Sequence, residues 1–217
     1  MERIRRIITA SGLVLLLSCS AFAQTYGLKF AYPTTDALRV TGSTSQVTYS
    51  IHSLVPKFGL TGELGLPAGL LLELDALYSH PSYRSTAMGI DTLASSTTTI
   101  NAWDFAVLAK KPFFQKAVRP YVNAGAAFKA VNEDTNVVLT VFPSQVTQSK
   151  VRAPEYIHPA TAGYAAGFGI DFKIGKFQVT PEFRYTRFRR ENFRSPDGSF
   201  HSNLNQPMFL LGLQRRK

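Results

Sequence analysis

The chain has 217 residues, 24 lysines and arginines against 14 aspartates and glutamates, and a formal net charge of +10. This length suits one domain of moderate size. A basic balance is compatible with nucleic-acid binding, but the sequence carries no nucleic-acid recognition motif, so we exclude that class of partner. No stretch after residue 23 has the roughly 20 apolar residues that a membrane helix needs.

The first residues have the pattern of an export signal. Three arginines lie within residues 3–6, residues 7–17 are mostly apolar, and Ala-Phe-Ala at 21–23 supplies a cleavage site. The apolar run is too short to span a bilayer, which favours a cleaved signal. We therefore predict a signal peptide over residues 1–23 and one mature domain over residues 24–217.

The single cysteine, Cys19, lies within the predicted signal peptide and allows two ways of processing the N-terminus. Cleavage after Ala23 removes Cys19, so the mature chain has no disulfide although it enters an oxidising compartment. The alternative takes residues 16–19, Leu-Leu-Ser-Cys, as a lipobox with a lipidated Cys19. The Ala-Phe-Ala site favours cleavage over lipidation.

Eight segments of the mature chain alternate between apolar and polar side chains. In 177–185, for example, Phe177, Val179 and Phe183 alternate with Gln178 and Glu182. Successive side chains of a strand point to opposite faces, so each segment predicts a strand with one apolar face. In chain order the segments are 26–31, 58–65, 70–78, 103–110, 121–129, 163–172, 177–187 and 208–213.

The connections between these segments alternate between short and long. Eight antiparallel strands that begin and end in the periplasm need three periplasmic turns and four external loops, and this chain has three short and four long links. Long loops of this kind are uncommon in compact soluble domains. The short links are 66–69, 112–118 and 174–176, and the long polar links are 33–56, 80–100, 131–160 and 188–206.

The faces of the predicted strands separate a membrane barrel from a soluble one. A membrane barrel turns its apolar set to lipid and its polar set to the lumen. Both charge signs then lie inside, at Lys29, Glu63, Glu73, Asp75, Asp104, Lys110, Lys129, Asp171, Glu182 and Arg184. With the faces exchanged, a soluble lipocalin-like barrel would have to hold several large aromatic rings inside, which is crowded for eight strands. We therefore predict a lumen ion-pair network formed by Glu63, Glu73, Asp75, Lys110, Lys129, Glu182 and Arg184.

Four stretches carry a resemblance to a known family: 69–78, 118–125, 165–172 and 180–185. They resemble the small porin-like outer-membrane β-barrel proteins of Gram-negative bacteria that are related to the OmpA transmembrane domain. The resemblance implies an all-β, eight-stranded antiparallel up-and-down barrel in the cell outer membrane. It also implies contact with outer-membrane lipid, insertion by the barrel-insertion machinery, a monomer and no cofactor. The chain departs from the family's pattern at 213–217, Leu-Gln-Arg-Arg-Lys, where such barrels usually finish on an aromatic residue.

The chemistry-bearing residues favour a non-enzymatic protein with a structural, envelope or adhesion role and at most a narrow pore. The alternative enzyme class comprises outer-membrane barrels that modify lipid A with a serine–histidine site. Here His201 and Ser202 are adjacent, so on a strand they point to opposite faces. The four histidines fall one in each long link without metal-ligand spacing, so we predict no catalytic, metal or cofactor residues. They are His52, His80, His158 and His201.

A basic segment lies where the seventh predicted strand leads into the fourth long link. Its arginines are interleaved with two phenylalanines, and aromatic rings favour the membrane interface while guanidinium groups suit phosphate oxygens. We predict contact with lipopolysaccharide phosphates, and a solvated hairpin arm is the alternative. The four arginines are Arg187, Arg189, Arg190 and Arg194.

Overall fold

The computed structural model describes residues 25–42, 47–89, 92–114, 117–141, 144–148 and 151–216. The predicted signal peptide and Cys19 lie outside the described residues, so both remain predictions. Within the described ranges the regular structure is β-strand apart from one 3-10 turn at Pro67–Gly69. No helix in these ranges is long and apolar enough to cross a membrane.

Eight strands close into one antiparallel barrel. Each of them pairs with the next in the chain, and the last pairs with the first, from Thr25 opposite Arg216 to Pro33 opposite Met208. This closure confirms the predicted eight-stranded up-and-down barrel. The barrel strands are β1 (Thr25–Pro33), β4 (Lys57–Leu66), β5 (Leu70–Ser79), β7 (Thr92–Pro112), β8 (Val118–Val141), β10 (Ala160–Ile174), β11 (Phe177–Phe188) and β13 (Asn205–Arg216).

The two ends of the barrel differ in the length of their connections. Three connections, within 67–69, 113–117 and 175–176, are short, and we call this side the short-turn end. Gly175 has φ of 58° in the two-residue turn between β10 and β11, a conformation that glycine adopts without steric cost. The four long connections meet at the opposite side, which we call the hairpin end.

The long connections contain strands of their own, and treating them as plain polar loops was wrong. The first ten residues of β7 pair with the last ten of β8, from Thr92 opposite Val141 to Asn101 opposite Asn132. These residues are rich in threonine and valine, which favour strands, and the pairing satisfies their backbone groups beyond the barrel. The additional strands are β2 (Leu38–Val40), β3 (Val47–His52), β6 (Ser82–Met88), β9 (Ser144–Gln148) and β12 (Phe200–Ser202).

All four long connections contribute to a small apolar core at the hairpin end. We call it the hairpin cap, and its buried members are Leu38, Tyr83, Ile100, Ala102, Val131, Phe193 and Phe200. The Phe200 ring stacks on Tyr49 at 4.7 Å and lies 4.6 Å from the Tyr83 ring. Both tyrosine hydroxyls donate to the Glu155 carboxylate at 3.0 Å. Burial, followed by the charge of Glu155, raises the pKa of the Tyr83 hydroxyl, which therefore stays protonated as a donor.

The barrel wall is apolar outside and charged inside. Leu28 is 64% exposed on the outer face, whereas its neighbour Lys29 is 1% exposed and points into the lumen. A protein in water has the opposite arrangement, because it buries apolar side chains and exposes charges. A contiguous apolar exterior of this size indicates contact with lipid. It is formed by Tyr26, Leu28, Phe30, Phe58, Leu60, Trp103, Phe105, Val107, Val122, Phe128, Tyr164, Phe168, Ile170, Phe172, Phe209, Leu211 and Leu213.

Candidate functional site in the barrel lumen

The lumen holds its polar side chains because strand alternation turns every second residue inward. Two inward positions of β10 are glycines that leave room for larger side chains from neighbouring strands. A Cβ at Gly167 would lie 2.7 Å from the Asn123 side-chain oxygen, and one at Gly169 would lie 2.5 Å from the Tyr121 hydroxyl. Both distances are too short for a side chain, so the glycines create the space that Tyr121 and Asn123 occupy.

The middle of the lumen contains two cations and three carboxylates, which we call the central cluster. Lys29 Nζ contacts the Glu73 carboxylate and lies 3.0 Å from Asp75 Oδ2. It also lies 3.1 Å from Glu182 Oε2. Arg184 contacts the same three acids, at 2.7 Å from Glu73, 2.7 Å from Asp75 and 2.6 Å from Glu182. Every side chain in the cluster is buried, so these charges depend on one another for stabilisation.

A second group lies toward the short-turn end. Lys110 Nζ is 2.5 Å from Glu63 Oε1 and 2.7 Å from Asp171 Oδ1. Arg119 donates to the other Asp171 oxygen at 2.8 Å. The Lys110 ammonium also lies 3.8 Å from the centre of the Tyr121 ring, a cation–π contact. Because the Tyr121 hydroxyl donates to Glu182 at 3.1 Å, this ring joins the second group to the central cluster.

A third group lies toward the hairpin end. Lys57 is 2.5 Å and Lys129 is 3.5 Å from the Asp104 carboxylate. Lys129 also donates to Gln206 at 2.8 Å and lies over the Phe188 ring at 4.7 Å. Beyond this group, a cavity of about 30 Å³ separates it from the hairpin cap, which is room for about one water molecule.

The paired charges of the lumen balance. The cations are Lys29, Lys57, Lys110, Arg119, Lys129 and Arg184, and the anions are Glu63, Glu73, Asp75, Asp104, Asp171 and Glu182. A buried charge without a partner is costly, so a neutral set is the arrangement that burial requires. The three groups follow one another along the barrel axis.

The structure places all seven residues of the predicted network inside the barrel, in different groups. Glu73, Asp75, Glu182 and Arg184 come together in the central cluster with Lys29. The remaining three do not join it: Glu63 and Lys110 pair with each other, and Lys129 pairs with Asp104. Neither Lys110 nor Lys129 forms an ion pair with Glu73 or Glu182 in the described part of the chain, so the predicted network is divided between separate groups.

Sequence reasoning missed two members of the lumen set, Lys57 and Arg119. Each lies at the beginning of its strand, just before the predicted segment. One or two residues are too few for an alternating pattern to be recognised there. Lys57 directly precedes the apolar run that starts at Phe58, and Arg119 lies two residues before Tyr121. Extending the period-two pattern backward by one step from each predicted strand would have found both.

The four arginines at the end of the seventh predicted strand and just beyond it do not form one cluster. Arg187 continues the lipid-facing side of β11, whereas Arg190 lines the cavity beneath the hairpin cap. Arg194 lies 3.8 Å from Glu191, and Arg189 is exposed. Contact of these arginines with lipopolysaccharide phosphates remains a prediction. Arg187 is the one that lies on the outer face of the barrel, where such a contact would form.

Within the described ranges, His201 and Ser202 of the alternative enzyme class are not brought into a catalytic arrangement. His201 and Ser202 are adjacent in β12, and the Ser202 hydroxyl accepts the Phe193 backbone N–H at 2.9 Å. No hydrogen bond joins the two side chains in the described ranges. No group of three or more histidine, cysteine, aspartate or glutamate side chains among these residues could hold a metal ion.

The barrel is similar to solved structures of outer-membrane proteins. Outer membrane protein OprG from Pseudomonas aeruginosa aligns with a TM-score of 0.55 at 12% sequence identity, over 90% of this chain and 96% of that chain. The chain has the fold of an outer-membrane β-barrel. The N-terminal β-barrel domain of OprF from the same organism aligns with a TM-score of 0.38 at 13% identity, over 90% of this chain and 98% of that chain. No family model and no curated protein sequence matches the chain.

Proposed function

We propose that the protein is an integral outer-membrane barrel without enzymatic activity, which stabilises the envelope and carries a rigid layer of hairpins on its outer side. The observation that supports this proposal best is the combination of an apolar exterior and a sealed, charge-balanced lumen. An exterior of exposed aromatic and aliphatic side chains requires lipid around it. A lumen closed by ion pairs at its middle provides no continuous channel from one end of the barrel to the other.

The width of the barrel also argues against conduction. Eight strands enclose an interior that side chains can fill, whereas general porins use 16 or more strands to leave an aqueous channel. Here the two cations of the central cluster are held by three carboxylates each. Moving them aside would expose buried charges, so an open pore is costly. We therefore assign no transport activity to the barrel.

The first prediction concerns the state of the purified protein. The folded barrel should migrate differently from the boiled barrel on a denaturing gel, and it should be recovered in the outer-membrane fraction. In planar bilayers it should show no steady conductance, because the central cluster closes the lumen. Recovery in the periplasmic fraction would refute the proposal. Stable channels of porin size would refute the sealed lumen while leaving the location intact.

A second prediction concerns orientation. We expect the hairpin end outside the cell and the short-turn end in the periplasm. A cysteine introduced as Thr92→Cys at the hairpin end should react with a membrane-impermeant maleimide on intact cells. Lys176→Cys, in the turn between β10 and β11, should react only after the outer membrane is permeabilised.

The unsubstituted chain is the control for this labelling. It should not react in either condition, because cleavage of the predicted signal peptide removes Cys19. Labelling of Lys176→Cys on intact cells, with none of Thr92→Cys, would invert the orientation. Both substituted positions are exposed, so burial does not limit the reaction.

A further inference from the structure

The lumen opens at the short-turn end into a cavity of about 230 Å³, and its lining is basic. Three of the lining residues are cations from three different strands: Arg119 of β8, Lys173 of β10 and Arg216 of β13. Alternation turns all three inward, since Arg119 lies two residues before Tyr121, Lys173 two after Asp171, and Arg216 two after Gln214. The fold thus gathers charges that are far apart in the sequence.

Two of these three cations have no acidic partner. Arg119 is bound to Asp171, whereas neither Lys173 nor Arg216 has a carboxylate within ion-pair distance among the described residues. The acid that shares the cavity, Glu63, is held by Lys110 at 2.5 Å. Because the paired lumen charges already balance, Lys173 and Arg216 leave the mouth with two uncompensated positive charges.

The surroundings add to the positive field. The sequence has no aspartate or glutamate in residues 64–72, 110–118, 172–177 or 207–217, which form the short connections and the end of the last strand. The same stretches carry further cations, among them Lys111, Lys176 and Arg215. A concave mouth lined by one sign of charge concentrates ions of the opposite sign.

We propose that this mouth binds a phosphate group, as inorganic phosphate or as the phosphodiester of a phospholipid head group. Guanidinium forks pair with phosphate oxygens in a bidentate manner, and lysine supplies a point charge. Arg119 has donors to spare, because its Nε is buried and has no acceptor in the described part of the chain. Gln178, which also lines the cavity, accepts from Arg119 Nη2 at 3.2 Å and helps to hold the guanidinium at the mouth.

The size of the cavity fits this ligand. A volume of about 230 Å³ accommodates several water molecules at about 30 Å³ each, which leaves room for a tetrahedral phosphate with part of its hydration shell. The site needs only the folded barrel and does not depend on which end faces the periplasm. A bound phosphate would neutralise Lys173 and Arg216 and close the short-turn end of the lumen.

The test uses the refolded full-length mature barrel in a zwitterionic detergent. Inorganic phosphate should raise the thermal unfolding midpoint more than chloride does at equal ionic strength, because a ligand that binds only the folded state stabilises it. The double variant K173M/R216M should lose at least about tenfold in phosphate affinity, measured by isothermal titration calorimetry. Such a loss corresponds to about 1.4 kcal/mol of binding free energy.

The matched control is K176M/R215M, which removes the same two charges at the same end from residues that do not line the cavity. It should keep the phosphate affinity of the parent. Equal losses in the two double variants would reduce the effect to net charge and overturn the site. If inorganic phosphate did not raise the unfolding midpoint of the parent, the site for the free ion would also be overturned. The site for a lipid head group is then decided by the experiment with phospholipid.

A second experiment replaces inorganic phosphate with short-chain phosphatidylglycerol in the micelle, and its control is a diacylglycerol of the same chain length, which lacks the phosphodiester. Stabilisation of the parent by phosphatidylglycerol, lost in K173M/R216M and kept in K176M/R215M, assigns the site to a lipid head group. Stabilisation by inorganic phosphate alone assigns it to the free ion. If neither stabilises the parent, the proposal is wrong, while the gel shift on boiling still tests the outer-membrane assignment separately.

Discussion

Replacing Lys29 with methionine should lower the free energy of unfolding of the barrel by about 3–5 kcal/mol, the usual cost of stranding buried charge. Lys29 is 1% exposed and contacts three carboxylates, which Arg184 alone would then have to balance. Methionine keeps most of the side-chain volume, so the loss is electrostatic and not one of packing. Urea unfolding in detergent micelles, followed by tryptophan fluorescence from Trp103, measures the change.

The control for this experiment is Lys176→Met, the same chemical change at an exposed turn position, which should shift stability by no more than about 0.5 kcal/mol. Adding Glu73→Gln to Lys29→Met removes one of the stranded carboxylates and should recover part of the loss. Glu182→Ala should destabilise the barrel more than Asp197→Ala, which alters an exposed loop. Equal stability of the two lysine variants would contradict the role of the central cluster.

Replacing Phe200 with alanine should open the hairpin cap while leaving the barrel folded. The Phe200 ring is fully buried between Tyr49 and Tyr83, and deletion of a buried phenylalanine side chain costs about 3–5 kcal/mol. The cost falls on the cap because the barrel strands have their own hydrogen bonds and ion pairs. Limited proteolysis should then cut the long connections at least tenfold faster, while the gel shift on boiling remains.

A matched control is Phe177→Ala, which removes a ring that is 53% exposed at the short-turn end. It should leave the rate of cleavage in the long connections unchanged. If Phe200→Ala abolished the gel shift, the cap would be part of the barrel's cooperative unit and not a separate layer. If Phe200→Ala and the parent were cut at equal rates, the cap would not order the connections.

The eight barrel strands could be predicted because each one lies between lipid and a polar lumen. Those two environments demand opposite side chains at successive residues, as in Phe183 and Arg184, so the pattern is visible within one segment. The strands of the long connections could not be predicted in this way. Thr97 and Thr98 both carry hydroxyls although only Thr98 is buried, so this hairpin lacks the alternation of apolar and polar side chains that marks the barrel strands.

The partners of the lumen charges could not be predicted from the alternation. Alternation predicts that Lys29 and Glu182 point inward. Whether they contact each other depends on how far each strand is shifted along its neighbours around the closed barrel. That shift is a property of the whole sheet, and no single segment contains it. The basic mouth could not be predicted for the same reason, because Arg119, Lys173 and Arg216 come from three strands.

The sequence by itself determined the number of barrel strands, their inward and outward faces, and the short and long ends of the barrel. Each of these follows from side-chain direction along one strand or from the length of one connection. Only the tertiary structure decided which charges pair, that the long connections pack into one cap, and that three cations share a mouth. These features require residues far apart in the chain to meet, and closure of the barrel determines which of them do.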